Sequence, residues 1–316
     1  MKLLFLLAMG ITTAFAQTPA NPSFAAQCQA LAGEENAMAC GHISNQFGLD
    51  CVRRLDRSQL HNNIIVTCSD YTNQYSARCL KAVPAANEDT VSGCSNVQNQ
   101  YGVDCVSKLT ESAVTNNTIV TCSSYNNDYS VKCLNHVANA DRDSISACLN
   151  ITTNIGLECV KALAPVSVMN AVIGCSDFTS SFSVDCIKSA QFQNPQDAMV
   201  CSNVKSRISR DCVKLLGTNP SYVSVIQCSD IKTQLGLKCV ESIRARGSNE
   251  IQACLAIQTA TQLDCVRNLT ALDNNSIVEC ADRNSRNRRV NDASRSPEVK
   301  PTSRGASPPS PAASQE

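Results

Sequence analysis

The sequence predicts an all-α fold, a disulfide-stapled array of αα-hairpins (an α-solenoid) with about 27 residues per repeat. Three observations support this fold class. The 20 cysteines recur at almost constant spacing, apolar residues around them follow a helical period, and glycine, proline or capping residues separate the apolar stripes. Such internal periodicity is typical of stacked supersecondary units whose core grows along one axis.

The cysteine spacing defines the repeat. Nine pairs with the spacing Cys-x10-Cys run from Cys40 to Cys265, and their first cysteines lie 26 to 28 residues apart. Cys28 precedes the series and Cys280 follows it. We count positions within a repeat from the first cysteine of the pair, which is position 0.

Each repeat is expected to contain two helices. Apolar residues at −3, 0, +3 and +7 form one stripe of a first helix of about 13 residues, with a capping residue such as Asp89 before it. We expect this helix to end at +8, where Gly48 and Gly102 fit a left-handed C-terminal residue. A shorter second helix is expected to begin at the second cysteine, with an acid such as Asp50 in its first turn.

The expected heights of the cysteines predict the disulfide pairing. Within one repeat, Cys40 and Cys51 would lie at different heights along the helix axes of the hairpin. Their Cα atoms would then be too far apart for a disulfide, because these atoms must approach within about 7 Å. Pairing within repeats would also leave Cys28 and Cys280 unused. Joining each second-helix cysteine to the next first-helix cysteine restores similar heights and uses all 20. The predicted bonds are Cys28–Cys40, Cys51–Cys68, Cys79–Cys94, Cys105–Cys122, Cys133–Cys148, Cys159–Cys175, Cys186–Cys201, Cys212–Cys228, Cys239–Cys254 and Cys265–Cys280.

The ends of the chain differ from the repeats. Residues 1–16 have the basic start, apolar run and Ala14-Phe15-Ala16 site of a secretory signal peptide, so we expect export to the periplasm or the cell exterior. That compartment is oxidising, in agreement with an even number of cysteines. Residues 17–23 are expected to be a linker, 24–280 the repeat domain, and 281–316 a disordered tail, first basic and then rich in Pro and Ser. No apolar run has the length of a transmembrane helix.

In plan, the arrangement resembles disulfide-stapled helical-hairpin repeat proteins such as the Sel1-like repeat proteins of bacterial envelopes. Those proteins have longer repeats, a closer pair of cysteines and an alanine- and glycine-rich signature. The resemblance therefore implies the hairpin plan alone, and no functional residue is carried over from it.

No catalytic, cofactor or metal site is predicted. The sequence contains no Gly-x-Ser-x-Gly element, phosphate loop or His-Glu-x-x-His motif, and we interpret His42, His61 and His136 as surface residues. The cysteine spacing is wider than that of zinc sites, and the mild net charge of the repeats does not favour nucleic acid. The expected function is a non-enzymatic binding or scaffold protein that presents its repeat surface to a protein or an envelope polymer. The alternatives are a structural envelope component and an enzyme with a scattered site.

Several features are candidates for binding. Aromatic pairs four residues apart recur in alternate repeats, and core packing or a ligand groove would explain them; they are Tyr71, Tyr75, Tyr125, Tyr129, Phe178 and Phe182. Pairs such as Ser69-Asp70 after the first cysteine form either a solvated face or a polar ladder. The residue before the second cysteine tends to alternate in sign, which indicates charge pairing between repeats or repeats that face alternate ways. Arginines at the start of the tail indicate a plain linker or an electrostatic contact with an anionic surface; they are Arg283, Arg286, Arg288 and Arg289.

Overall fold

The structure is a computed structural model, and it describes residues 22–164, 169–243, 247–270 and 272–282. Within these ranges every regular element is a helix, and no strand of two or more residues occurs. The predicted all-α class is confirmed. The predicted signal peptide lies outside the described residues, as do the tail from residue 283 onward and its arginines Arg283, Arg286, Arg288 and Arg289.

The chain forms two compact units. Among the described residues, the N-terminal unit runs from residue 22 to Ile187 and includes Gln193–Ser202, and the C-terminal unit comprises Lys188–Phe192 and the residues from Asn203 onward. Both units contain the same helical repeat. The cysteine spacing, which predicts one repeat domain over residues 24–280, continues through this division without interruption.

In the N-terminal unit, even-numbered helices are the first helices of repeats and odd-numbered helices are the second helices. From α1 to α12, each helix packs on the next helix of its own kind, which gives a layer of first helices and a layer of second helices. In chain order they are α1 (Phe24–Ala32), α2 (Ala37–Cys40), α3 (Gln46–Arg54), α4 (Asn62–Ser69), α5 (Gln74–Ala82), α6 (Glu88–Ser95), α7 (Gln100–Val106), α8 (Asn116–Ser123), α9 (Asp128–Cys133), α10 (Arg142–Leu149), α11 (Asn154–Leu163) and α12 (Met169–Gly174), followed by α13 (Ser181–Ala190), whose last three residues belong to the C-terminal unit.

The C-terminal unit repeats this arrangement. Its second helices α14, α16 and α18 pack in sequence, and α15 packs on α17. The helices are α14 (Arg207–Leu216), α15 (Tyr222–Asp230), α16 (Gln234–Ile243), α17 (Ser248–Cys254) and α18 (Ala260–Arg267), followed by a last helical segment over residues 274–282. Between α13 and α14, a 3-10 helix over Asp197–Asn203 carries Cys201, which belongs to the N-terminal unit. No described helix combines the length and the apolar character needed to cross a bilayer.

Ten disulfides staple the second helix of one repeat to the first helix of the next, and every cysteine takes part in one. They are the ten bonds that the spacing predicts, from Cys28–Cys40 to Cys265–Cys280. The joined Cα atoms lie 5.4 to 5.7 Å apart. All of the cysteines except Cys265 are buried, so the bonds run through the core of each unit.

The first helix is shorter than predicted, and the prediction that it continues to +8 is wrong. Helix α4 ends at Ser69, one residue after its cysteine, and a turn that contains Tyr71 leads into α5 at Gln74. The second cysteine of the repeat, Cys79, therefore lies in the middle of the second helix and not at its start. An acid in the preceding position, such as Asp50, likewise lies mid-helix and not in the first turn.

The first helices also begin with caps one or two residues earlier than predicted. The amide of Thr90 donates to the side chain of Asn87, where Asp89 was the predicted cap. The amide of Ser144 likewise donates to the carboxylate of Asp141, three residues before it. This small displacement leaves the repeat pattern unchanged, because helix ends are the least sharply defined part of the element.

The glycine or serine at +8 is the third residue of the second helix and makes a close contact between repeats. A Cβ atom added to Gly102 would lie 3.2 Å from the carbonyl oxygen of Cys122 in the next repeat. Where serine occupies the position, its hydroxyl forms a hydrogen bond to the next repeat. Ser130 donates to the carbonyl oxygen of Ile151 over 2.9 Å. Close approach, and not a left-handed backbone, therefore explains the small residue. Equivalent contacts occur at Gly48, Ser76, Gly156, Ser209 and Gly236.

Candidate functional site

The first aromatic residue of each predicted pair belongs to the core. Tyr71, Tyr125 and Phe178 are at most 1 % exposed and lie in or beside the turn between the two helices. The Tyr71 hydroxyl donates to the Val91 carbonyl over 3.0 Å, and the Tyr125 hydroxyl donates to the Ile145 carbonyl over 2.8 Å. Burial raises the pKa of both phenols above the usual range. These three side chains pack in the core of the repeats and present almost no surface to a ligand.

The second aromatic residue of each pair lies at the surface. Tyr75, Tyr129 and Phe182 are half-buried near the start of their second helices. The same position holds Phe47 in α3 and Tyr101 in α7, and Tyr101 is 37 % exposed. Because α3, α5, α7 and α9 pack side by side, their side chains at +7 form a row across four repeats. We call Phe47, Tyr75, Tyr101 and Tyr129 the aromatic row.

A charged row runs beside the aromatic row. Residues three positions apart lie on the same face of a helix, so position +10 adjoins position +7. From α3 to α11 the residues at +10 alternate strictly in sign, and none of them is fully buried. We call these five residues the charged row: Asp50, Arg78, Asp104, Lys132 and Glu158.

The centre of the charged row is held by hydrogen bonds between α5 and α7. The Arg78 guanidinium donates to Gln100 Oε1 over 2.9 Å, and Gln100 Nε2 donates to Asp104 Oδ1 over 2.7 Å. Within the described part of the chain, neither Arg78 nor Asp104 forms an ion pair. The next two members do, because Asp50 lies 3.3 Å from Arg53 and Lys132 lies 2.5 Å from Asp128 on the same helix. From α3 to α9, the +10 residues Asp50, Arg78, Asp104 and Lys132 therefore form no ion pair with one another between adjacent repeats.

The serine that follows the first cysteine forms a hydrogen bond within its own helix in several repeats. The hydroxyls of Ser69, Ser95 and Ser123 donate to carbonyls three residues earlier over 2.6 to 2.7 Å. These bonds satisfy the carbonyls at the end of the first helix. The residue at +2, such as Asp70 or Asn96, is exposed at the turn.

An open cleft of about 660 Å³ lies where two successive repeats turn from a second helix into the next first helix. Its polar lining includes Ser112, Asn117, Asp141 and Arg142, and no histidine or cysteine lies among the lining residues. The Asp141 carboxylate already accepts the Ser144 amide at the start of α10. The cleft thus offers hydroxyls, amides and one guanidinium for hydrogen bonding. It does not bring together a nucleophile and a histidine base.

The described residues contain no cluster that would form a metal site, and comparisons with known proteins give no further guide to a site. No group of three or more His, Cys, Asp or Glu side chains is arranged to hold a metal ion within those residues. Comparison with known proteins finds no matching family model, curated protein or solved structure. The function must therefore be argued from the side chains of the aromatic and charged rows.

Proposed function

We propose that the chain is an exported, non-enzymatic scaffold that binds another protein through the aromatic and charged rows of its second-helix layer. Ten disulfides favour an oxidising compartment, and the signal-peptide pattern of residues 1–16 agrees with export. Each bond closes a loop of 12 to 17 residues, which is worth about 3 kcal/mol in loop entropy. These staples suit a rigid surface better than a moving active site.

One observation carries the proposal: partly exposed aromatic side chains lie beside charges of both signs on adjacent helices. Tyrosine, phenylalanine and arginine are enriched in protein interfaces, where the ring supplies buried area and the polar groups fix the orientation. Tyr101 is 37 % exposed, and Arg78 reaches across to Gln100 of the next second helix beside it. Acids of the row would repel an anionic polymer, and an uncharged polymer would leave the alternating charges without counterparts. A protein with mixed charge satisfies both features.

Site-specific photocrosslinking in the native cell tests this proposal. A photoreactive amino acid at position 101 should form a covalent adduct with a protein, and mass spectrometry should identify it. The matched control places the same residue at Asp89, which is exposed on the first-helix layer and should give no adduct with that protein. Equal labelling at both positions, or labelling of glycan alone, would refute the proposed function.

A further inference from the structure

We infer that the protein bound by this surface is a second copy of the chain, placed antiparallel about a two-fold axis between α5 and α7. The inference rests on the proposed function, because it assigns a partner to the same surface. It is argued from the order of charges along the row, from the two central residues that lack an ion pair, and from the area that the surface can bury.

The charged row is self-complementary when a second copy lies antiparallel about an axis between two second helices. A two-fold axis between α5 and α7 sets α5 of one copy against α7 of the other, because a two-fold interface joins the same patch on both copies. Arg78 then meets Asp104 of the second copy. The outer helices follow the same rule, so that Asp50 in α3 meets Lys132 in α9. Four opposite-charge pairs form across such an interface.

The neighbouring register is disfavoured. An axis through α7 itself would set Asp104 against Asp104 of the second copy and Arg78 against Lys132. Like charges that face each other in an interface cost several kcal/mol and suppress the wrong arrangement. The alternation in sign thus favours an axis between two second helices over an axis through one of them. Arg78 and Asp104, which form no ion pair with a described residue, then place the axis between α5 and α7. A row of one sign would set like charges against each other in every antiparallel register.

The centre of the proposed interface holds two charged residues, Arg78 and Asp104, that have no counterion among the described residues. Arg78 and Asp104 are joined only through Gln100, and neither forms an ion pair with a described residue. The second copy would supply the missing opposite charge to both. In the aromatic row, the same axis sets Tyr75 against Tyr101 of the second copy and Phe47 against Tyr129. Rings in the middle and charges beside them match the usual anatomy of a protein interface.

The available area sets the expected strength. A helix of nine residues such as α5 is about 13 Å long, and four helices spaced by about 9 Å span roughly 35 Å. Each copy would contribute roughly 450 Å², and the total of roughly 900 Å² lies below the size of a standard stable interface. We therefore expect a reversible dimer with a micromolar dissociation constant that weakens as salt is added.

Charge reversal tests the pairing of opposite charges across the proposed interface. R78D/K132D makes the row over α3 to α9 entirely acidic, and D50K/D104K makes it entirely basic. Analytical ultracentrifugation of the full mature, oxidised chain should show wild-type dimers and a monomer for each variant alone, with dissociation constants raised by at least about a hundredfold. An equimolar mixture of the two variants should restore a one-to-one dimer. R57D/R142D carries the same charge change at exposed arginines outside the row and should dimerise like wild type.

The outcomes separate this inference from the proposed function. A wild-type chain that stays monomeric up to several hundred micromolar overturns the homodimer, as does a mixture of variants that stays monomeric although circular dichroism shows each to be folded. If the chain is monomeric but position 101 still crosslinks to a different protein, the homodimer fails and the binding function stands. If position 101 crosslinks to no protein, both fail.

Discussion

Raising the pH above 10 should destabilise the N-terminal unit through two buried tyrosines. Tyr71 and Tyr125 have no exposed surface, each donates its hydroxyl to a backbone carbonyl, and burial raises the pKa of both. In the unfolded chain a tyrosine titrates near pH 10. Above that pH the unfolded state loses protons that the folded state retains, so each further pH unit favours unfolding. Below pH 10 the contribution of both phenols to stability is complete.

The magnitude follows from proton linkage. One retained proton lowers the free energy of unfolding by about 1.4 kcal/mol per pH unit, and two retained protons lower it by about 2.7 kcal/mol per pH unit. This slope applies at pH values well above 10 that are still below the raised pKa values of the two tyrosines. At neutral pH the variant Y71F/Y125F should instead lose about 1 kcal/mol per hydrogen bond. Its free energy of unfolding should also fall less steeply with alkaline pH than that of the wild type, because the slope contributed by the two buried phenols is absent.

Urea unfolding followed by circular dichroism at a series of pH values from about 8 to 11.5 measures this slope. Y75F/Y129F is the matched control, because it removes two hydroxyls from the same pairs and keeps both buried phenols. It should retain the wild-type slope. Mass spectrometry without reductant after each titration checks that the ten disulfides survive the alkaline exposure. Equal alkaline slopes for wild type and Y71F/Y125F would refute the burial argument.

Three further predictions concern the repeat contacts and use urea unfolding at neutral pH. Replacing Cys105 and Cys122 together with alanine releases a staple with a sequence separation of 17 and should cost about 3 kcal/mol; a loss below about 1 kcal/mol would show that packing alone holds these repeats together. Ser130→Ala removes the hydrogen bond to the Ile151 carbonyl and should cost about 1 kcal/mol, so an unchanged midpoint would contradict the contact. Asn99→Ala should cost about 1 kcal/mol and Asn99→Ser much less, because the Asn99 side chain caps α7; equal losses would argue against capping.

The all-α class and the disulfide pairing could be predicted because both depend on local spacing. Every bond joins cysteines 12 to 17 residues apart, and only the pairing between repeats uses all of them. The helix bounds could not be taken from apolar periodicity, because the stripe continues through a turn. Tyr71 is buried from the turn and Tyr75 is half-buried from the next helix, yet both fall on the period of a single helix. The available signal was a capping residue at +5 followed by glycine or serine at +8, as in Asn99 and Gly102.

The candidate surface was visible in the sequence only in part. The alternating sign at +10 could be read directly, but its meaning depends on whether adjacent repeats pair these charges. The structure places Gln100 between Arg78 and Asp104, a relation of residues 22 and 4 positions apart that no repeat pattern encodes. The sequence also did not reveal that the two members of each aromatic pair differ in burial, because the member at +3 is buried and the member at +7 is half-buried. The difference arises from the turn between the two helices. The ring at +3 lies in this turn and is buried, whereas the ring at +7 lies near the start of the next helix.

The staples connect the architecture to the proposed binding. Each second helix is fixed to the next repeat twice, by a disulfide such as Cys105–Cys122 and by a close contact such as that of Gly102 with the Cys122 carbonyl. The spacing of the aromatic and charged rows is therefore set before any partner arrives, and little backbone entropy remains to be lost on binding. An interface of limited area gains most from such preorganisation. Cleaving one central disulfide should therefore weaken self-association although the bond is buried away from the interface. Without it, the distance between α7 and its neighbours can vary, and the opposite charges of two copies no longer align.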